Sequence, residues 1–334
     1  MMNHILLPQV DLVSIKLLPP HAAWLKDWLT ELEPALDEGD VASSICLQGL
    51  LSELVLYGKP KHNWLEILKE HLTDDDGNPL AYSKAYGKRL YLFDNQWQQT
   101  NIHAIHARWW IEMFYGQLSA SETKYATLIE DNIQPNGWIY NPKVSPTNIA
   151  TRMKSEYLMS MAMGVEILQF HGMLSKYKTR FEATLAILPA TPYLSAEYFR
   201  LAALSTIGAV AQAPCELDGV LTSCKVGEGF CDFSVGDKRD DYMGTLKRTA
   251  RDFAVHSPIS TLHAWKIASF CDGEARDAAL ATVKQFAIHL KQHPMEIPAF
   301  KIRDLIDIPF GTDVSPMEIL AASALATSYD SEKI

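Results

Sequence analysis

Apolar residues three and four apart dominate this chain, and that period decides what it can fold into. In TRMKSEYLMSMAMGVEILQF (151–170), Met153, Tyr157, Met161, Val165 and Leu168 fall on one stripe, as in a helix with one face buried. The Ser145-Pro146 pair ahead of it marks a start. A serine oxygen accepts from the free first-turn amides, and proline has no N–H to leave unpaired. The same pair recurs at Ser257-Pro258 and Ser315-Pro316, and Glu318, three residues after Ser315, completes the pattern of a capping box.

Read onward in this way, the spacing predicts helices over 21–32, 43–57, 63–71, 102–118, 121–132 and 146–172. Further helices are expected over 175–187, 195–211, 241–256, 258–271, 274–293 and 315–327. The linkers are mostly short, which favours antiparallel helix pairs. Strand patterns are confined to RLYLF (89–93) and GFCDFSV (229–235), and without strand–helix alternation a parallel sheet is disfavoured.

The expected fold class is therefore all-α, predominantly: irregular helical hairpins as an α/α toroid or an α-solenoid, with one short β-hairpin insert near 220–236. No repeat of 30 to 50 residues is visible, which disfavours a regular tetratricopeptide or ankyrin array. The organisation reads as an N-terminal helical subdomain (1–72), an irregular connection (73–101) and a main helical domain (102–334), or as one continuous domain. Prolines at 294, 298 and 309 separate the last helices.

Composition narrows the partners. The formal charge is −10 over 334 residues and the isoelectric point is near 5.6, which disfavours nucleic acid, whose phosphates demand concentrated Lys and Arg. Lys247, Arg248 and Arg251 form a local basic group that reads as a solvated helix face. Five cysteines make no disulfide framework and point to a reducing, cytoplasmic setting. The first twenty residues lack a basic flank and are interrupted by Asp11 and Lys16, unlike a signal peptide, and no membrane span is expected.

The turn QPNGWIYNPKVSP (134–146) places Gln134, Gly137 and Trp138 between two helices. It resembles the Gln, Gly and Trp turn of terpenoid-cyclase and prenyltransferase toroids, where it is repeated. The resemblance covers a dozen residues in one copy and implies toroid architecture only. The Asp-x-Cys order of zinc-bearing toroids is missing, and DKRDD (237–241) has the wrong spacing for their Asp-x-Asp-Asp motif.

The stretch CKVGEGFCDFSVGDKRDDYMGTLKR (224–248) interrupts the helical pattern and gathers the candidate chemistry. Asp232, Asp240 and Asp241 are candidate acids, since crowded carboxylates raise one another's pKa. Cys231 is a candidate nucleophile with His256 as its base. Were a metal held, Cys215, Cys224, Cys231 and His256 would be the zinc ligands, but their spacings of nine and seven differ from the two to four usual in such sites; no cofactor is expected. Trp109, Trp110, Trp138, Tyr140 and Arg248 are candidate substrate contacts. His103 and His106 share a helix face, and Arg108 and Glu112, four apart, pair.

No nucleotide-binding loop, serine elbow or His-Glu-x-x-His helix is present. Two functional readings follow. The first is a helical protein-interaction module, a subunit of a cytoplasmic assembly with a protein partner. The second is an α/α-toroid-type enzyme acting on a small apolar or peptide substrate, with residues of the 215–241 insert at the cavity mouth.

Overall fold

The computed structural model describes residues 14–89, 101–141, 154–186, 193–210, 217–232, 256–297 and 315–328. Helices make up 68% of it, so the chain is predominantly α. They are α1 (Pro19–Asp37), α2 (Ser43–Tyr57), α3 (Trp64–His71), α4 (Lys84–Arg89), α5 (Ile102–Phe114), α6 (Lys124–Glu130) and α7 (Lys154–Phe170). There follow α8 (Lys178–Ala186), α9 (Leu194–Ile207), α10 (Leu217–Ser223), α11 (Pro258–Ala268), α12 (Gly273–Gln292) and α13 (Pro316–Ser328). The expected helix over 241–256, apart from its last residue, the Ser145-Pro146 start and most of RLYLF lie outside the described residues. Among those residues, no helix is long and apolar enough to cross a membrane.

Local chemistry sets the helix ends. The side chains of Asn63, Asn101 and Ser257 accept from first-turn amides of α3, α5 and α11, each satisfying a donor that the helix leaves open. Gly208, left-handed at φ 73°, stops α9 at Ile207, short of the expected 211. Beyond Phe114, Gly116 turns left-handed at φ 65°, so α5 is shorter than the spacing suggested. Ser315 does not form the expected capping box. Its hydroxyl accepts from the Met317 amide and donates to Gln48 Oε1 at 2.8 Å, while Glu318 turns to the neighbouring helix and accepts from Ile259 N.

Two turns share one backbone plan. Asp74 N donates to Asn78 O, Gly77 N to Asp74 O and Leu80 N to Leu72 O; Gln134 N donates to Trp138 O, Gly137 N to Gln134 O and Tyr140 N to Asn132 O. Each encloses a short antiparallel bridge, Thr73 to Pro79 and Ile133 to Ile139. Gly77 and Gly137 hold the same left-handed place, sixty positions apart. The turn following α2 and α3 thus recurs after α5 and α6, with Asp74 and Asn78 standing where Gln134 and Trp138 stand. Side chains do not repeat, which hid the unit from sequence comparison.

The expected β-hairpin is present as β1 (Lys225–Val226) and β2 (Gly229–Phe230), antiparallel, with Lys225 opposite Phe230. It folds back on the start of α11: Ser257 N donates to Phe230 O at 2.9 Å and Phe230 N to Thr261 Oγ1 at 3.3 Å. A Cβ on Gly229 would stand 2.9 Å from His256 Cβ, so this approach requires glycine.

Helix packing follows a regular order. α2 lies against α5, α5 against α7, α7 against α9, α9 against α11, α11 against α13, and α13 against α2. The others flank these: α1 packs on α13 and α2, α3 on α2 and α5, α6 on α5 and α7, α8 on α9, α10 on α9 and α11, and α12 on α11 and α13. Burial matches. α9 is buried on nearly every side, whereas α12 buries one stripe through Ala279, Val283, Phe286 and Leu290, as a helix with one wet face does. One cluster of buried side chains runs from Ile15 to Ala326. Across it, His21 on α1 donates from Nε2 to Pro294 O at 2.7 Å and accepts at Nδ1 from the Ser323 hydroxyl of α13 at 2.6 Å.

Candidate functional site

The described part of the 215–241 insert is occupied with structure. Asp232 O accepts from Leu194 N at 2.9 Å and its Oδ1 from Ser195 N at 2.7 Å. The residue therefore caps α9, whose own Tyr193 supplies no side-chain cap. Cys231 is 1% exposed; its amide donates to Cys224 O at 2.9 Å and its thiol contacts the same carbonyl. Cys224 is fully buried.

His256 meets Phe286 edge-on at 4.8 Å, and burial, then the neighbouring His289, lowers its pKa against the pull of Glu228. The hairpin thus reaches the start of α11, and the Cys231 thiol donates to Cys224 O. Asp240, Asp241, Arg248 and Cys215 lie outside the described residues. No group of three or more His, Cys, Asp or Glu among the described residues is arranged to hold a metal ion.

The aromatic candidates divide into two places. Trp109 and Trp110 are 2% and 4% exposed. Trp109 packs edge-on to Phe170 at 5.5 Å and beside His106 at 5.6 Å, and its indole N–H has no hydrogen-bond partner among the described residues. Trp138 and Tyr140 both lean on Tyr157, at 5.8 and 5.0 Å. Their turn is clamped from inside by Gln134, whose amide donates to Asn132 O and Tyr140 O.

A polar constellation occupies α5, α7, α9 and α11, four helices packed in that order. His106 Nε2 donates to Glu166 Oε2 at 2.8 Å. The His106 side chain is 1% exposed, that of Glu166 30%. His103, one turn away, has its pKa lowered to about 4 by burial and by His106. On α9, burial and then the Glu166 charge raise the Tyr198 phenol well above its usual range. The Tyr198 ring lies flat on His263 of α11, centroids 4.3 Å apart. Glu197 and Arg200, both fully buried, pair at 3.1 Å.

Sequence reasoning singled out His103 and His106 and the Arg108–Glu112 pair, which forms at 2.6 Å. It passed over Glu166, Tyr198, Glu197 and Arg200. The signal was there: Glu166 stands in MSMAMGVEILQF, and Glu197 and Arg200 in an otherwise apolar helix, where a buried charge needs a partner. Compared with known proteins, the chain matches no family model, no curated protein and no solved structure.

Proposed function

We propose that α2, α5, α7, α9, α11 and α13 form the inner ring of an α/α toroid, with α1, α3, α6, α8, α10 and α12 outside it. The order of packing supports closure, because α13 returns to α2, whereas the ends of a solenoid stay apart. Within this ring, Glu166 and His106 make a general acid–base site for a small-molecule substrate. One observation carries this reading: the Glu166 side chain is 30% exposed while the His106 side chain bonded to it is 1% exposed. A carboxylate held by a buried imidazole and open on its other side can exchange a proton with a bound molecule. The reading moves the chemistry from the insert, where Asp232 is engaged as a helix cap, to the inner helices. A protein-interaction module has less support, since the large exposed hydrophobics among the described residues are Phe114 and Met295.

The test is a thermal-shift screen of small cations, anions and neutral metabolites on the full chain and on Glu166→Gln. At least one compound should raise the melting temperature of the parent and leave the variant unmoved. If no compound binds, or all bind both proteins alike, the interior site is refuted.

A further inference from the structure

His263 of α11 is 4% exposed, and neither Nδ1 nor Nε2 has a hydrogen-bond partner among the described residues. Burial lowers its pKa to about 3, so the ring is neutral and offers one N–H and one lone pair. A buried polar group without partners costs stability, and proteins tolerate that cost chiefly at functional sites. The ring is walled by aromatic groups: Tyr198 stacks on it with planes 10° apart, and Phe199 stands at 5.7 Å.

The charges of the surrounding helices are unevenly matched. Arg108 holds Glu112 and Arg200 holds Glu197, while Lys266 lies over Phe270 at 5.1 Å. Glu166 alone among these carboxylates has a histidine in place of a permanent cation, and its charge acts on Tyr198. An open carboxylate, aromatic walls and an imidazole lone pair suit a cation with N–H groups.

We infer that the interior site takes a small organic ammonium ion, with Glu166 as counter-ion, the Tyr198 and Phe199 rings as its aromatic wall, and a ring nitrogen of His263 accepting from its N–H. The inference rests on the toroid reading above.

Three probes with one carbon skeleton test it: phenethylamine, protonated at neutral pH, neutral 2-phenylethanol and anionic phenylacetate. Phenethylamine at saturation should raise the melting temperature by on the order of 5 °C, and the other two should leave it unchanged. Glu166→Gln should abolish the response. His263→Phe, which keeps the ring and removes both nitrogens, should weaken binding about tenfold or more while leaving the unliganded protein at least as stable. A neutral or anionic probe that matches phenethylamine overturns the inference, and so does a phenethylamine response that survives in Glu166→Gln. Should the wider screen yield only anionic or neutral ligands that Glu166→Gln loses, the ammonium assignment falls while the acid–base site stands. With no ligand of any charge, both fall.

Discussion

Glu318 Oε2, on the first turn of α13, accepts from the Ile259 amide on the first turn of α11 at 3.0 Å, across 59 residues of sequence. One carboxylate thereby ties together the starts of two neighbouring helices. Burial pushes its pKa from 4.5 up to about 7, while the Ile259 amide and the Ser257 hydroxyl pull the other way.

That shift has a sign. The folded chain holds the Glu318 proton more tightly than the unfolded chain, so the stabilisation is fully present below pH 4.5 and is lost as pH rises through about 7. Glu318→Gln keeps a hydrogen-bond acceptor and cannot ionise. Urea titrations of parent and variant at pH 4.5 and 8 should differ in their stability gap by up to about 3 kcal/mol, in the variant's favour at the higher pH. A gap that does not move with pH counts against the buried carboxylate.

Glu53 on α2 is fully buried and accepts from Lys61 N, His62 N, His62 Nδ1 and Trp64 Nε1. It fastens the connection from α2 to α3. Glu53→Ala leaves those donors without their acceptor and should cost about 3–5 kcal/mol in denaturant unfolding. Glu53→Gln, which accepts at one oxygen, should cost less.

Gly77 and Gly137 hold the same place in the two matching turns but differ in surroundings. A Cβ at Gly77 meets nothing within 4 Å, whereas at Gly137 it would stand 2.1 Å from Thr184 Oγ1. Gly77→Ala should cost about 1–2 kcal/mol, from its left-handed backbone alone. Gly137→Ala should cost more by at least about 1 kcal/mol, since α8 must also give way. Equal melting temperatures for the two variants would contradict the close approach of α8.

His263→Phe should stabilise the protein by about 1–3 kcal/mol, because it removes two buried polar atoms that have no partners while preserving the stack on Tyr198. A denaturant midpoint below that of the parent would show that the imidazole is satisfied.

The helical class and most helix positions were legible, and where local chemistry rules, they were legible closely. α2 runs over 43–57 as its spacing indicated, closed by left-handed Gly58, and Ser257-Pro258 starts α11. The short α4 and α10 are too brief for a periodic signal. Relations between distant segments escaped. Asp232 looked like a candidate acid because its role as a cap depends on α9, 37 residues earlier. Glu318 looked like half of a local capping box because its true partner lies on another helix. Glu166 was read as part of an apolar helix, since the histidine that binds it is 60 residues away.

Hydrogen exchange measured by mass spectrometry gives the most direct test of ring closure, with α13 loosened by Ala321→Gly and Ala324→Gly, each costing about 1 kcal/mol of helix stability. In a closed ring both neighbours of α13 lose support, so amides of α2 as well as α11 should exchange faster than in the parent. Faster exchange in α11 with α2 unchanged would mean an open chain of helices and would contradict the toroid.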